Sequence, residues 1–97
     1  MPSWPALDPN EILDFQIEWT DKLEDGEVIT DSEWEIVEGD VEIEMASHPP
    51  GYSHSDEIST VWLTGGTVDS TCLVRNHITT SAGRERDRTM TLKIRTK

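Results

Sequence analysis

The chain has 97 residues, which is enough for one domain with a single hydrophobic core and too few for two. Hydrophobic residues make up 34% and charged residues 29%, a composition that excludes a disordered chain and favours a thin, sheet-based core. The formal net charge of −12 argues against a nucleic-acid partner, because phosphate binding uses clustered lysines and arginines.

Residues 1–10 contain several prolines, which have no backbone N–H to donate. This segment is therefore predicted to be an extended arm without ladder hydrogen bonds. Trp4 and Leu7 lie between these prolines. Apolar anchors on an extended arm suit insertion into a partner's groove, so Trp4, Pro5 and Leu7 are candidate partner-binding residues. The arm could equally fold back on its own domain, which we assign to residues 11–97.

Strands are predicted throughout the first half of the domain. Residues 13–19 alternate apolar and polar side chains, the period of two that is typical of a strand with one solvated face. Residues 22–26 form a charged turn ending in Asp-Gly. A second alternating strand follows over residues 28–37, with Ile29 and Val37 as apolar exceptions on its polar face. Residues 41–45 predict a third, short strand.

The second half predicts further strands after an exposed loop. Residues 46–57 contain a Pro-Pro-Gly run and are expected to form that loop. Residues 58–63 are rich in β-branched and aromatic side chains and lead into a Gly-Gly turn. Strands are also predicted over residues 68–79 and 89–95, joined by a turn over residues 80–87.

These strands and turns, without a convincing period of 3.6 residues, indicate an all-β fold. We predict a single immunoglobulin-like antiparallel β-sandwich of about six to seven strands, preceded by the extended N-terminal arm. A large ring can fill the gap between two packed sheets, so Trp34 or Trp62 is the predicted central core residue.

The residue types that support catalysis or metal binding are present, but their spacing in the sequence does not match that of a catalytic or metal site. Carboxylates alternate along the predicted strands, whereas a calcium loop clusters them on a turn. One cysteine and the dispersed His48, His54 and His77 fall short of a zinc site. We therefore expect no enzyme, catalytic residue, metal, cofactor or small-molecule substrate, and a buried, inert thiol at Cys72. No apolar run approaches the ~18 residues that cross a bilayer, so no membrane partner is expected.

Charge is distributed unevenly along the chain. Residues 1–60 carry 17 acidic residues and one basic residue, for a net charge of −16, whereas residues 61–97 carry three acidic and seven basic residues, for +4. The two parts could pair within the monomer, or the acidic part could meet the basic part of a neighbouring copy or another protein.

In the last hairpin, Arg84, Arg86 and Arg88 are candidate partner-binding residues. Arg84 could pair with Asp87 or with a carboxylate of a neighbouring subunit.

Motifs across most of the chain resemble a known family. The segments are DPNEILDFQIEWTDKL, VITDSEWEI and STVWLTGGTVDSTCLVRNHITTSAGRERDRTMTLKI, and the strongest matches lie over residues 61–66 and 78–89. They resemble the fiber-tail adaptor and small virion structural proteins of tailed bacteriophages. Cys72 stands where such sequences often carry an aromatic residue, and residues 41–56 look like an acidic insertion.

The resemblance implies a non-enzymatic virion structural protein, made in the bacterial host cytoplasm and located in the tail or neck. Its implied partners are other virion proteins of the tail, neck or fibers, between which it would be docked in multiple copies as a ring or other symmetric assembly. Two alternatives stay open. One is a capsid decoration or cement protein, and the other is an acidic inhibitor whose rows of carboxylates imitate DNA.

Overall fold

Seven β-strands form the framework of the chain in the computed structural model, which describes residues 2–97. In chain order they are β1 (Ile12–Glu18), β2 (Ile29–Glu38), β3 (Val41–Ile43), β4 (Tyr52–His54), β5 (Ile58–Gly65), β6 (Thr71–Thr80) and β7 (Glu85–Lys93). A turn of 3-10 helix, Thr20–Lys22, follows β1.

The strands pair into two antiparallel sheets. β2, β6 and β7 form the β6 sheet, with β6 in the centre. β1, β5 and β3 form the β5 sheet, in which β4 also pairs with the central strand β5. The inner faces of the two sheets pack against each other through shared hydrophobic clusters, so the predicted all-β sandwich is confirmed.

Alternation along the strands decides which side chains enter the core. On β5 the buried positions are Ser59, Val61 and Leu63, and on β6 they include every second residue from Cys72 to Thr80. The larger cluster joins both sheets and consists of Leu7, Phe15, Val41, Val61, Leu63, Cys72, Val74, Leu92 and Ile94. The smaller one consists of Ile17, Trp19, Ile29, Ile78 and Met90. The thiol of Cys72 is buried, as predicted.

The most deeply buried tryptophan is Trp19, which is 2% exposed and belongs to the smaller cluster. The prediction of Trp62 as the central core residue was wrong. Trp34 is only partly buried and packs at the margin of both clusters. Trp62 pairs with Asp14, an exposed position of β1, and its ring therefore lies on the outer face of the β5 sheet.

A bulge in β2 changes which of its side chains face inward. The register of β2 against β6 shifts between Ile29 and Asp31, and again between Ile36 and Glu38. An extra residue reverses the alternation from that point, so Ile29 and Ser32 are both buried although their spacing is odd. The expectation that Ile29 would lie on the polar face was therefore wrong.

The predicted loop over residues 46–57 contains a short strand. β3 and β4 lie end to end along β5, with Ile43 opposite Leu63 and Tyr52 opposite Val61. Residues 44–51 are looped out between them, opposite Trp62. We call this segment the 44–51 insertion.

Candidate docking surfaces

The N-terminal arm folds back and runs parallel to the end of β7. Isolated parallel bridges join the two segments. The backbone N–H of Trp4 donates to Thr91 O at 3.0 Å, and that of Leu7 donates to Lys93 O at 3.0 Å. The prediction of an arm without ladder hydrogen bonds was wrong, because residues between the prolines keep their donors.

Trp4 fixes the arm against both sheets. Its ring packs against Phe15 at a centroid distance of 4.9 Å and against Trp34 at 5.9 Å. Its Nε1 donates to the backbone oxygen of Gln16 at 3.0 Å. These contacts leave the Trp4 side chain partly buried.

Leu7 is fully buried, with 0% of its surface exposed. Its side chain serves the hydrophobic core, which corrects its assignment as a partner-binding residue. Pro5 is exposed and Trp4 is partly exposed. These two residues line a shallow groove that also includes Leu13 and Lys97, so they remain candidates for contact with a partner.

Arg84 pairs with the turn that follows the 3-10 helix, and its predicted pairing with Asp87 is not found. Its guanidinium lies 3.2 Å from Glu24 and 3.9 Å from Glu27. Glu27 is 7% exposed, and hydrogen bonds from the Thr80 hydroxyl and the Glu24 N–H lower its pKa, with a smaller contribution from the charge of Arg84. Arg84 therefore ties the last hairpin to this turn.

Arg86 and Arg88 lie on β7, which begins at Glu85, before the predicted strand over residues 89–95. They stand opposite Ile78 and Asn76, two fully buried residues, and so point toward the inner side of the sheet edge. Both arginines are partly buried, and the Arg88 guanidinium lies 5.1 Å from the centroid of a Trp19 ring. Both side chains therefore keep only part of their surface exposed at this edge of the sandwich.

Ion pairs join the acidic and basic parts of the chain within the monomer. Three of them are Glu35–Arg75, Glu24–Arg84 and Glu11–Lys97. The alternative of pairing within the monomer is thus realised at these positions. Asp31, Glu33 and Glu38 of β2, in contrast, make no ion pair within residues 2–97.

An open groove of about 720 Å³ runs along β2 where this strand passes β4 of the other sheet. Its lining comprises Glu33, Trp34, Glu35, Tyr52, Arg75, His77 and Asp87. Trp34 and Tyr52 bring aromatic surface from the two sheets. The Trp34 Nε1 atom is buried and has no hydrogen-bond partner in the described part of the chain. Tyr52 lies within the loop predicted over residues 46–57, and its place in this groove could not be expected from the sequence.

His77 lies between two carboxylates on the outer face of the β6 sheet. Its Nδ1 is 2.6 Å from Asp87 Oδ1, and its Nε2 is 2.9 Å from Glu85 Oε1. Hydrogen bonds to Asp87 and then Glu85 favour the protonated ring and raise the pKa of His77, while slight desolvation opposes them. Glu33 stands opposite His77 on β2. Glu33, His77 and Asp87 line the groove on this outer face.

The 44–51 insertion covers the outer face of the β5 sheet. The His48 ring stacks on Trp62 at a centroid distance of 3.6 Å with an interplanar angle of 6°. The Glu44 carboxylate accepts hydrogen bonds from the N–H groups of Ala46 and Ser47, which lower the pKa of Glu44. Met45 is 60% exposed at the surface of this insertion.

Among residues 2–97, no group of three or more histidine, cysteine or acidic side chains is arranged to hold a metal ion. The same residues contain no helix that is long and apolar enough to cross a membrane.

A family model described as podophage GP4 fiber-tail adaptor protein gp77 matches residues 7–93. The match extends from the buried Leu7 of the arm to the last residue of β7, and it includes all seven strands described above. It agrees with the family that the sequence motifs resemble. No curated protein matches the chain.

Proposed function

The chain belongs to the podophage fiber-tail adaptor family, and from this membership we propose that it is a non-enzymatic adaptor docked in multiple copies between tail and neck components. Membership makes it a phage structural adaptor of the virion tail that contacts other tail proteins. The observation that carries the proposal is the match over residues 7–93, which spans both sheets and the buried part of the arm. We further propose synthesis in the host cytoplasm and assembly as a symmetric ring.

The strand order supports an immunoglobulin-like topology for this adaptor. Such sandwiches place strands B, E and D in one sheet and strands C, F and G in the other. β1, β5 and β3 take the first three positions, and β2, β6 and β7 take the second three. Trp34 then lies on the strand equivalent to C, which carries the characteristic tryptophan of antibody domains.

We propose that residues 1–10 and 11–97 act as one docking unit, with the arm seated on the sandwich. Met1 lies outside the described residues. Trp4, Pro5, Arg86 and Arg88 are the proposed partner contacts, because each retains exposed surface. The partners are other virion proteins, and the net charge of −12 disfavours nucleic acid among them.

Quantitative mass spectrometry of purified phage particles tests this function. We expect the protein in the particle, at a copy number that is a multiple of the symmetry of the tail or neck. Absence from the particle would refute the adaptor role. Hundreds of copies would instead support a capsid decoration protein, and capture of a DNA-binding enzyme in a complex of equal stoichiometry would support a DNA mimic.

A further inference from the structure

Three of the four strand edges of the sandwich are obstructed. At β7, the arm pairs with the end of the strand, while Arg86 and Arg88 point inward along its beginning. Inward-pointing charges of this kind oppose the addition of another strand. At β1 the obstruction is partial, because the indole of Trp4 occupies one backbone acceptor, the oxygen of Gln16.

The third obstructed edge is formed by β3 and β4. Both strands have three residues, and the 44–51 insertion separates them. A very short, interrupted edge offers few consecutive backbone groups to a partner strand.

The fourth edge is β2, which has ten residues. Within the described residues it pairs with β6 on one side and with no strand on the other. Its register shifts lie near its two ends and leave residues 31–36 in regular pairing. The backbone N–H of Ile29, at the start of β2, is already bonded to Asp56 O at 2.8 Å. Within the regular segment that follows the first bulge, the Glu33 oxygen accepts a hydrogen bond from the Asn76 side chain at 2.9 Å. The remaining backbone groups of this segment form the open edge.

Side chains along this segment alternate in chemistry as well as in direction. Asp31, Glu33 and Glu35 are exposed on the outer face, whereas Trp34 and Ile36 are partly buried on the inner side. Pairing of β2 with β2 of another copy would place carboxylates beside carboxylates, which is unfavourable. A strand with alternating basic and apolar residues would place its basic side chains beside the carboxylates of the outer face and its apolar side chains beside Trp34 and Ile36 on the inner side.

We propose that β2 adds an extended basic segment of a partner protein as a further strand of the β6 sheet. Lysine or arginine side chains of that segment face Asp31 and Glu33, and its alternating apolar side chains pack against Trp34 and Tyr52 in the groove. The partner rests on the proposed adaptor function, in which it is another tail protein.

A synthetic peptide of alternating lysine and valine, about eight residues long to match an ordinary strand, tests the proposal on the intact isotope-labelled protein. We expect amide chemical-shift changes along residues 31–36 and at Tyr52, with slowed amide exchange on β2. The same peptide N-methylated at every residue keeps its charge and loses the backbone donors of both its edges, so its affinity should fall at least about tenfold. Equal affinity for both peptides, or shifts centred on another edge, would overturn the proposal.

Charge variants provide a matched comparison. Asp31→Asn combined with Glu33→Gln removes two carboxylates from β2, and Asp14→Asn combined with Glu18→Gln removes two exposed carboxylates from β1. Only the β2 variant should weaken peptide binding, by about fivefold or more for two lost charge pairs. Equal weakening by both variants would show that net charge alone attracts the peptide and would refute strand addition.

Particle composition separates this proposal from the adaptor function. The β2 variant should reach a lower copy number than the β1 variant in purified particles. If the wild-type protein is present and both variants equal it, docking through β2 is refuted while the adaptor function stands. If the wild-type protein itself is absent from particles, the adaptor function is refuted, and the peptide measurement alone decides whether β2 accepts a strand.

Discussion

The Trp19 indole donates a hydrogen bond to the side chain of Asn76, with 2.9 Å between Nε1 and Oδ1, although the two residues are 57 positions apart. Both residues are buried, and the Asn76 amide nitrogen in turn donates to Ser32 Oγ and Glu33 O at 2.9 Å each. Ser32 Oγ lies 2.9 Å from Ser59 Oγ. A polar network thus crosses the apolar core and links the β6 sheet to the β5 sheet.

Replacement of Asn76 by leucine should destabilise the domain by about 3 kcal/mol, because it leaves the buried groups of Trp19 and Ser32 without their partner. Urea unfolding followed by tryptophan fluorescence measures the difference. Gln16→Ala is the control, since the Gln16 side chain is exposed and only its backbone oxygen bonds to Trp4. A loss below about 0.5 kcal/mol for the Asn76 variant would show that the network adds nothing to stability.

Asn76 also marks a limit of sequence-based prediction. Its place on the inner side of β6 follows from the alternation along that strand, on which Val74 and Ile78 are also buried. What alternation cannot supply is the reason for a buried amide, because its partner Trp19 lies just after β1, in the other sheet, and its partner Ser32 lies on β2; both reach Asn76 only in the tertiary structure. The same holds for Ile29, whose inward position depends on a bulge that depends on pairing with β6.

Only part of the candidate docking surface could be predicted from the sequence. The exposed acids of β2 follow from its alternating pattern, as Glu33 and Glu35 show. The free edge of β2 could not be predicted in this way, because it depends on the order of the strands in the β6 sheet. Tyr52 reaches the groove through the short strand β4, and Leu7 enters the core through pairing with β7, and both placements are tertiary effects.

Leu7→Ala should destabilise the domain by about 3 kcal/mol, because it leaves a cavity in the larger core cluster. The arm would then be part of the folding unit and more than an appendage. Ser3→Ala, at an exposed position of the same arm, should change the free energy of unfolding by less than about 0.5 kcal/mol. Equal effects of the two variants in urea unfolding would show that the arm does not pack as described.

His77 should make stability depend on pH with a definite sign. Its pKa in the folded state is raised above the ordinary value of 6.5 by hydrogen bonds to Asp87 and Glu85. The folded state therefore binds the proton more tightly than the unfolded state. The resulting stabilisation is fully present below the unfolded pKa and is lost as pH rises through the folded pKa. The free energy of unfolding of the wild-type protein, relative to that of His77→Ala, should therefore fall as pH rises from the unfolded pKa of His77 through its folded pKa.

Nuclear magnetic resonance titration of the His77 ring measures the pKa directly. Combining Asp87→Asn with Glu85→Gln removes both carboxylates and should return the His77 pKa toward its ordinary value. Urea unfolding of the wild-type and His77→Ala proteins at pH values below and above the His77 pKa completes the test. An unchanged His77 pKa in the double variant would mean that these two carboxylates do not control the ring.

Gly51→Ala should disrupt the 44–51 insertion. Gly51 has φ of +97°, and an added Cβ would lie 2.6 Å from Ile43 Cγ2 and 2.8 Å from Glu44 O. Gly26→Ala is the matched control, because Gly26 has φ of +81° and no described atom within 4 Å of its Cβ position. The Gly26 variant should lose about 1 kcal/mol from backbone conformation alone, and the Gly51 variant about 2 kcal/mol more from overpacking. Equal losses in urea unfolding would contradict the close packing of Gly51.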